Sequence, residues 1–128
     1  MINLHIDKQE KYVLLQLQDA RLDATNAPSL RQIATKESEP EEVCNIILDI
    51  TAAKYIDSSG LSAILVVNRL CKDFSGKMIL VGASEHVIKL IKISQLDKVL
   101  DMLPTVEEAI DDIFMSELQK EMGESEEI

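Results

Sequence analysis

The chain has 128 residues and a formal net charge of -10, from 13 basic and 23 acidic side chains, with no Trp and only two Tyr and two Phe. That length reads as one domain large enough to bury a core, and the core must be built from Leu, Ile, Val and Ala. The acidic balance argues against nucleic acid or an anionic membrane as the main partner, and no apolar run is long enough to span a bilayer.

Residues 1–7 lack the basic start and apolar stretch of a signal peptide, so a cytoplasmic location is expected. Leu4 and Ile6, followed by residues 12–17, predict two short strands joined by a polar turn over 7–11. In the second strand Val13, Leu15 and Leu17 share one face, and Leu14, Gln16 and Gln18 the other. Residues 19–23 read as a connection. A first helix is predicted over about 26–36. Pro28 stands in its first turn, where a missing N–H does no harm, and Leu30, Ile33 and Ala34 form its inner face. Residues 37–42, with Pro40, make an acidic loop.

Residues 43–50 are apolar on both faces, as in a central strand. Residues 57–60 open a second helix that runs to about Phe74. Residues 72–77, with Gly76, close it and lead into a strand over 78–81. Ser84 is placed to cap a third helix through Val87, Leu90 and Ile91. Beyond 96–100, Pro104-Thr105-Val106-Glu107-Glu108 marks a helix start, with Thr105 and Glu108 at capping-box spacing. Ala109, Ile110, Ile113 and Phe114 continue its inner face.

Strands and helices alternate throughout, which predicts an α/β fold with a mixed, mostly parallel sheet and about four helices. Residues 1–115 form the domain, and 116–128 an acidic tail. Within 115–128 there are five Glu and one Lys, a local charge of -4 that leaves -6 for the rest. The tail is expected to extend the last helix and then fray, because Gly123 and the Glu-rich end favour disorder. Solubility is one reading of the acidity, and a basic protein partner is another.

Cys44 and Cys71 lie among aliphatic neighbours without the close pairing of a redox or zinc motif, so they read as small buried apolar side chains. His5 and His86 have no ligand-spaced partner. No metal, no cofactor and no catalytic residue is assigned.

The most informative run is Tyr55-Ile56-Asp57-Ser58-Ser59-Gly60-Leu61, where an apolar strand gives way to a long helix. A carboxylate and two hydroxyls thus stand at a helix N-terminus, which has unpaired N–H groups and favours an anion, including a phosphate carried by a serine. With Leu61 at zero and 100° per residue, Ala63, Val66, Val67, Leu70, Cys71 and Phe74 share one arc, with Ile64 at its edge. Ser62, Asn68, Arg69, Lys72 and Asp73 lie opposite, and Leu61 and Leu65 project into that polar arc. Ser58 falls in the same outer sector as Leu65 and Arg69, whereas Ser59 turns inward to cap or pack. Asp57 is placed as a helix cap. Ser58, Leu61, Ser62 and Leu65 would make a docking surface with a modifiable centre. A hydrolase elbow would need Gly two residues before the serine, and Ile56 stands there. The chain therefore reads as a binding module rather than an enzyme.

These residues resemble the bacterial anti-sigma factor antagonists, the soluble form of the STAS domain. The resemblance covers about 2–114. Val43-Cys44-Asn45-Ile46-Ile47-Leu48-Asp49 is similar to the strand before the switch, and Tyr55-Ile56-Asp57-Ser58-Ser59-Gly60-Leu61 to the switch itself. Lys77-Met78-Ile79-Leu80-Val81-Gly82 resembles the next strand, and Pro104-Thr105-Val106-Glu107-Glu108-Ala109 the start of the final helix. The resemblance implies phosphorylation of Ser58 by a serine kinase that is also the anti-sigma factor. Asp57, Ser59, Gly60, Leu61, Ser62 and Leu65 would bind that partner. Unphosphorylated protein would hold it and free the sigma factor for transcription. Phosphorylation would release it, and a serine phosphatase would reset this partner-switching signal. The same fold also serves as a regulatory subunit of transporter ATPases or stress-signalling assemblies with no phosphoswitch.

The chain departs from the family in having Ala20-Arg21-Leu22-Asp23 where Gly often precedes Leu-Asp, Ser62 where a small residue, often Gly, commonly follows the switch, and Ser94-Gln95-Leu96 where Ser-Gly-Leu is frequent. The last departure implies a non-Gly residue in a left-handed helix cap, at a cost of about 1 kcal/mol.

Overall fold

A computed structural model describes residues 2–38 and 44–126, with side-chain surroundings as far as Met122. The elements in chain order are β1 (Leu4–Lys8), β2 (Val13–Leu17), β3 (Arg21–Leu22), α1 (Ala27–Lys36), β4 (Ile46–Asp49), β5 (Tyr55–Ile56), α2 (Ser58–Asp73), β6 (Met78–Val81), α3 (Glu85–Ile93), a 3-10 turn (Leu96–Lys98), β7 (Asp101–Leu103) and α4 (Val106–Glu126). The main sheet has the order β1-β2-β4-β6-β7. Only β1 and β2 run antiparallel; β2-β4, β4-β6 and β6-β7 are parallel. This is the mixed, mostly parallel α/β architecture that the alternation of patterns implies.

The sheet is covered on both faces, which is why its central strands are apolar on both sides. Ile46, Ile47, Leu48, Met78, Ile79, Leu80 and Val81 are all at most 1% exposed. One face carries Val13, Leu15, Leu17, Ile46, Leu48, Met78 and Leu80 and packs under α1, α2 and α3. The other carries Leu14, Ile47, Ile79 and Val81 and packs against Ala109 and Ile113 of α4. The alternation along β2 thus divides its side chains between two cores. Phe114, expected on the inner face of α4, is 47% exposed. It follows Ile113, the innermost residue of that turn, and one residue's rotation of 100° carries it outward.

Three local features differ from the expected elements. Residues 19–23 are not merely a connection, because Arg21 and Leu22 form β3 and pair in parallel with Tyr55 and Ile56 of β5. Two-residue strands have no periodicity to read. Residues 101–103 form β7 beside β6, in a stretch too short to show alternation. The central strand begins at Ile46. Cys44 and Asn45 precede it, and Val43, with the rest of 39–43, lies outside the described residues. Asn45 is buried, and its side chain replaces ladder bonds: Nδ2 donates to Lys11 O (3.0 Å) and Glu117 Oε1 (3.1 Å), and Oδ1 accepts from Lys77 N (3.0 Å).

Two helix ends use left-handed residues other than glycine, Ser75 (φ 63°) and Gln95 (φ 61°). Gln95 is in the place the sequence singles out. At the end of α2, Gly76 N donates to Cys71 O (2.8 Å) and Ser75 N to Lys72 O (3.1 Å), a Schellman arrangement in which Ser75 takes the left-handed position. Gly76 serves close packing instead, because a Cβ there would collide with the Cys44 carbonyl. Thr105 accepts at Oγ1 from Glu108 N (3.2 Å), as capping-box spacing predicts. The last helix continues through Gly123 to Glu126 where fraying is expected. Glu127 and Ile128 lie outside the described residues.

Candidate functional site

The β3–β5 ribbon places the second helix. Leu22 and Ile56 are buried, and Asp57 N donates to Leu22 O (3.3 Å) as the chain leaves β5. Asp57 has extended backbone geometry, and its Oδ1 accepts from Gly60 N (3.0 Å), so it is the N-cap of α2. Gly60 lies directly on the ribbon. A Cβ there would stand 2.8 Å from Ile56 Cγ2 and closer still to the Leu22 carbonyl oxygen. The Asp-Ser-Ser-Gly spacing is thus accounted for physically, since the carboxylate caps, the glycine permits contact, and the two serines between them are left over.

Ser58 is exposed, and its hydroxyl makes no hydrogen bond among the described residues. Ser59 is half-buried, and the cap is supplied by Asp57 instead. Ser62 is exposed and Leu65 is half-buried against the main core. Leu61 departs from the expected position. It is 8% exposed and belongs to the main core, as does Ile64. Val66, expected inside, is 39% exposed, and Asn68, expected outside, is 4% exposed. The buried arc is rotated by about 60° from the one that hydrophobicity alone draws. The cause is that α2 packs against α1, the β3–β5 ribbon and the sheet together. The ribbon and α1 bury the N-terminal part of a helix flank that an isolated amphipathic helix would leave wet. Leu61 therefore leaves the expected docking patch, and Gly60 is buried beneath it.

Ser58, Ser59 and Ser62 line a cleft of about 310 Å³ between α2 and the start of α1. Its other wall is Ala24, Ala27, Pro28 and Arg31. Arg31 is exposed and forms no ion pair among the described residues. A reachable hydroxyl thus shares a cleft with the N-terminal turn of a second helix and with Arg31, an environment favourable to an added anion. Nothing in the α2 sequence announces Arg31, and only the packing of α1 against α2 brings it there. The loop preceding α1 is ordered by Asn26, which is buried. Its Nδ2 donates to Arg21 O (2.8 Å) and Asp19 Oδ2 (3.2 Å), and its Oδ1 accepts from Asp23 N (2.9 Å). Hydrogen bonds from the Thr25 hydroxyl and backbone, and then the nearby Arg21, hold the Asp23 carboxyl below its ordinary value.

No His, Cys or Lys is among the residues that line the cleft. His5 and His86 are exposed on β1 and α3. Among the described residues no group of His, Cys, Asp and Glu is arranged to hold a metal ion. No helix among them is long and apolar enough to cross a membrane. Cys44 and Cys71 are buried, as expected, and they also meet, with their Sγ atoms 3.5 Å apart. Hydrogen bonding from Cys71, and then from Ser38, lowers the Cys44 thiol, while the same bond and burial push Cys71 up. They sit between β4 and the far half of α2, away from the cleft.

A family model described as the STAS domain matches residues 3–109. An anti-sigma factor antagonist from Mycobacterium paratuberculosis is 19% identical, with a TM-score of 0.73 over 88% of this chain and 94% of that one. The Bacillus cell fate determinant SpoIIAA in its phosphorylated form is 22% identical, with a TM-score of 0.65 over 87% of this chain and 99% of that one. The murine anion transporter Slc26a9 contains a similar domain, 16% identical, with a TM-score of 0.72 over 85% of this chain and 18% of that one. At these identities the likeness shows a shared fold.

Proposed function

The chain belongs to the STAS domain family, and from that premise we propose that it is an anti-sigma factor antagonist switched by phosphorylation of Ser58. The observation that carries this reading is the state of Ser58. Ser58 is exposed, with its hydroxyl unbonded among the described residues, on a capped helix start and in a cleft that Arg31 also lines. Solved structures of the same fold include anti-sigma factor antagonists, one of them in a phosphorylated form.

In its unmodified form the protein binds a serine kinase that is also an anti-sigma factor, through Ser58, Ser62 and Leu65, with Asp57 and Ser59 shaping the surface. Gly60 and Leu61 act from beneath by holding the helix start in place. The sigma factor is then free for transcription. A phosphate on Ser58 adds about -1.5 to -2 charges. The helix N-terminus and Arg31 accommodate that charge within the protein, so the fold persists. At the interface the same group brings strongly hydrated charge against the partner. A loss of about 3 kcal/mol lowers affinity roughly a hundredfold. A serine phosphatase restores the binding form. The chain itself acts as a cytoplasmic binding module and uses no cofactor. The acidic tail beyond residue 115 is additional to the switching domain.

The test is intact-mass and peptide mapping of protein purified from its native cells. The expected result is one phosphate on Ser58 that disappears in Ser58→Ala, with tight kinase binding only by the unmodified form. Absence of phosphate under every growth condition would overturn the switch. It would leave a constitutive regulatory subunit of a transporter or stress-signalling assembly, a role favoured by the similar domain within an anion transporter.

A further inference from the structure

α4 runs well past the matched family region, which ends at residue 109. Ala109 and Ile113 anchor it to the sheet. Its outward side is different in kind. Phe114, Met115, Leu118 and Met122 are between 47% and 56% exposed. At 100° per residue they share an arc about 120° wide with the exposed acids Glu107, Glu108 and Asp111. The acids occupy the first half of this strip and the apolar side chains the second, over a length of about 22 Å. Among the described residues no ion pair neutralises these three acids. Lys120, the helix's only basic residue, turns the other way, where Nζ donates to Ser75 O and stands 3.7 Å from Glu117. Asp112 is likewise off the strip and pairs with Lys77.

A half-exposed apolar row bordered by unneutralised acids requires an occupant with both features. A second copy fits poorly. Extending a self-pair along the strip would bring the like charges of Glu107, Glu108 and Asp111 together. We propose that this face of α4 is a second docking surface, and that its occupant is an amphipathic helix of a partner protein whose apolar row is bordered by Lys and Arg. The apolar half supplies burial and the acidic half sets direction and steers encounter. The surface lies on the opposite side of the sheet from α1 and α2. A partner here and one at Ser58 can be held together.

The chain contains no Trp, so a Trp-bearing peptide reports its own environment. The probe is a synthetic Leu–Lys amphipathic helix with one Trp, titrated into the full chain and compared with its Leu–Glu counterpart. The expected result is salt-sensitive binding of the Leu–Lys peptide only, with backbone amide shifts concentrated in 107–122. Leu118→Glu, and separately Glu107→Lys with Asp111→Lys, should each weaken it about tenfold or more, with unchanged circular dichroism. Glu10→Lys with Asp97→Lys makes the same charge change elsewhere and should leave affinity unchanged. Equal weakening by that control would reduce the effect to general attraction and overturn the proposal. So would absence of binding, or a concentration-dependent dimer that Leu118→Glu abolishes. None of these outcomes bears on phosphorylation of Ser58.

Discussion

Leu61 and Leu65 stand one helical turn apart and have different roles. Leu61 is in the core and Leu65 at its margin. Truncation should separate them. Leu61→Ala should cost about 2–5 kcal/mol of stability, the range for a buried leucine. Leu65→Ala should cost less and, on the proposed function, should weaken binding to the proposed kinase partner about tenfold, as for a contact residue beside the interface centre. Urea denaturation and titration calorimetry on the same variants measure the two quantities. Equal destabilisation, with no difference in affinity, would remove Leu65 from the surface. The carboxylate of Asp57 and the exposure of Ser58 were legible from residue order, because a cap needs only the first turn of a helix. The burial of Leu61 was not, because it depends on what lies over the helix.

At the scale of elements, local signals placed α1, α2, β6, α3 and the start of α4 closely. They failed at β3, β5 and β7, which are two or three residues long and exist only through pairing with distant strands. The turn after α3 shows what local strain costs. Gln95 holds a left-handed backbone, φ 61°, after the C-cap Ser94. Glycine adopts that geometry without a Cβ penalty, so Gln95→Gly should stabilise the protein by about 1 kcal/mol. Thermal unfolding would show it as a Tm several degrees higher. A lower Tm would mean that the Gln95 side chain supplies more than the strain removes. The corresponding change at Ser75 would act at the end of α2, where the glycine required for close packing is already next in sequence.

The whole molecule is tied at one end by Asp19, which joins three separate segments. Its carboxylate accepts from Asn3 N (3.0 Å), Asn3 Nδ2 (3.1 Å) and Asn26 Nδ2 (3.2 Å), linking the approach to β1, the exit of β2 and the N-cap of α1. The backbone hydrogen bond from Asn3, above all, holds its carboxyl below the ordinary 3.8. The folded value lies under the unfolded one, so the stabilisation is present above 3.8 and is lost as pH falls through the folded value. Asp19→Asn should therefore flatten the acid limb of stability as pH falls below the ordinary 3.8. Urea midpoints across that range measure it, and an unchanged slope would assign the acid sensitivity to other carboxylates.

By itself the sequence determined the order of elements, the α/β class, the aliphatic core and a serine at a capped helix start. Each follows from short-range periodicity, capping chemistry or composition. Only the tertiary structure decided that β3 and β5 form a ribbon under Gly60, that Leu61 is buried, that Arg31 and Ser58 line one cleft and that Phe114 joins an outward acidic and apolar strip. Those features depend on which surfaces of distant segments meet. An amphipathic pattern tells a helix to bury one side, but the neighbours that cover the helix set the width and the angle of that side.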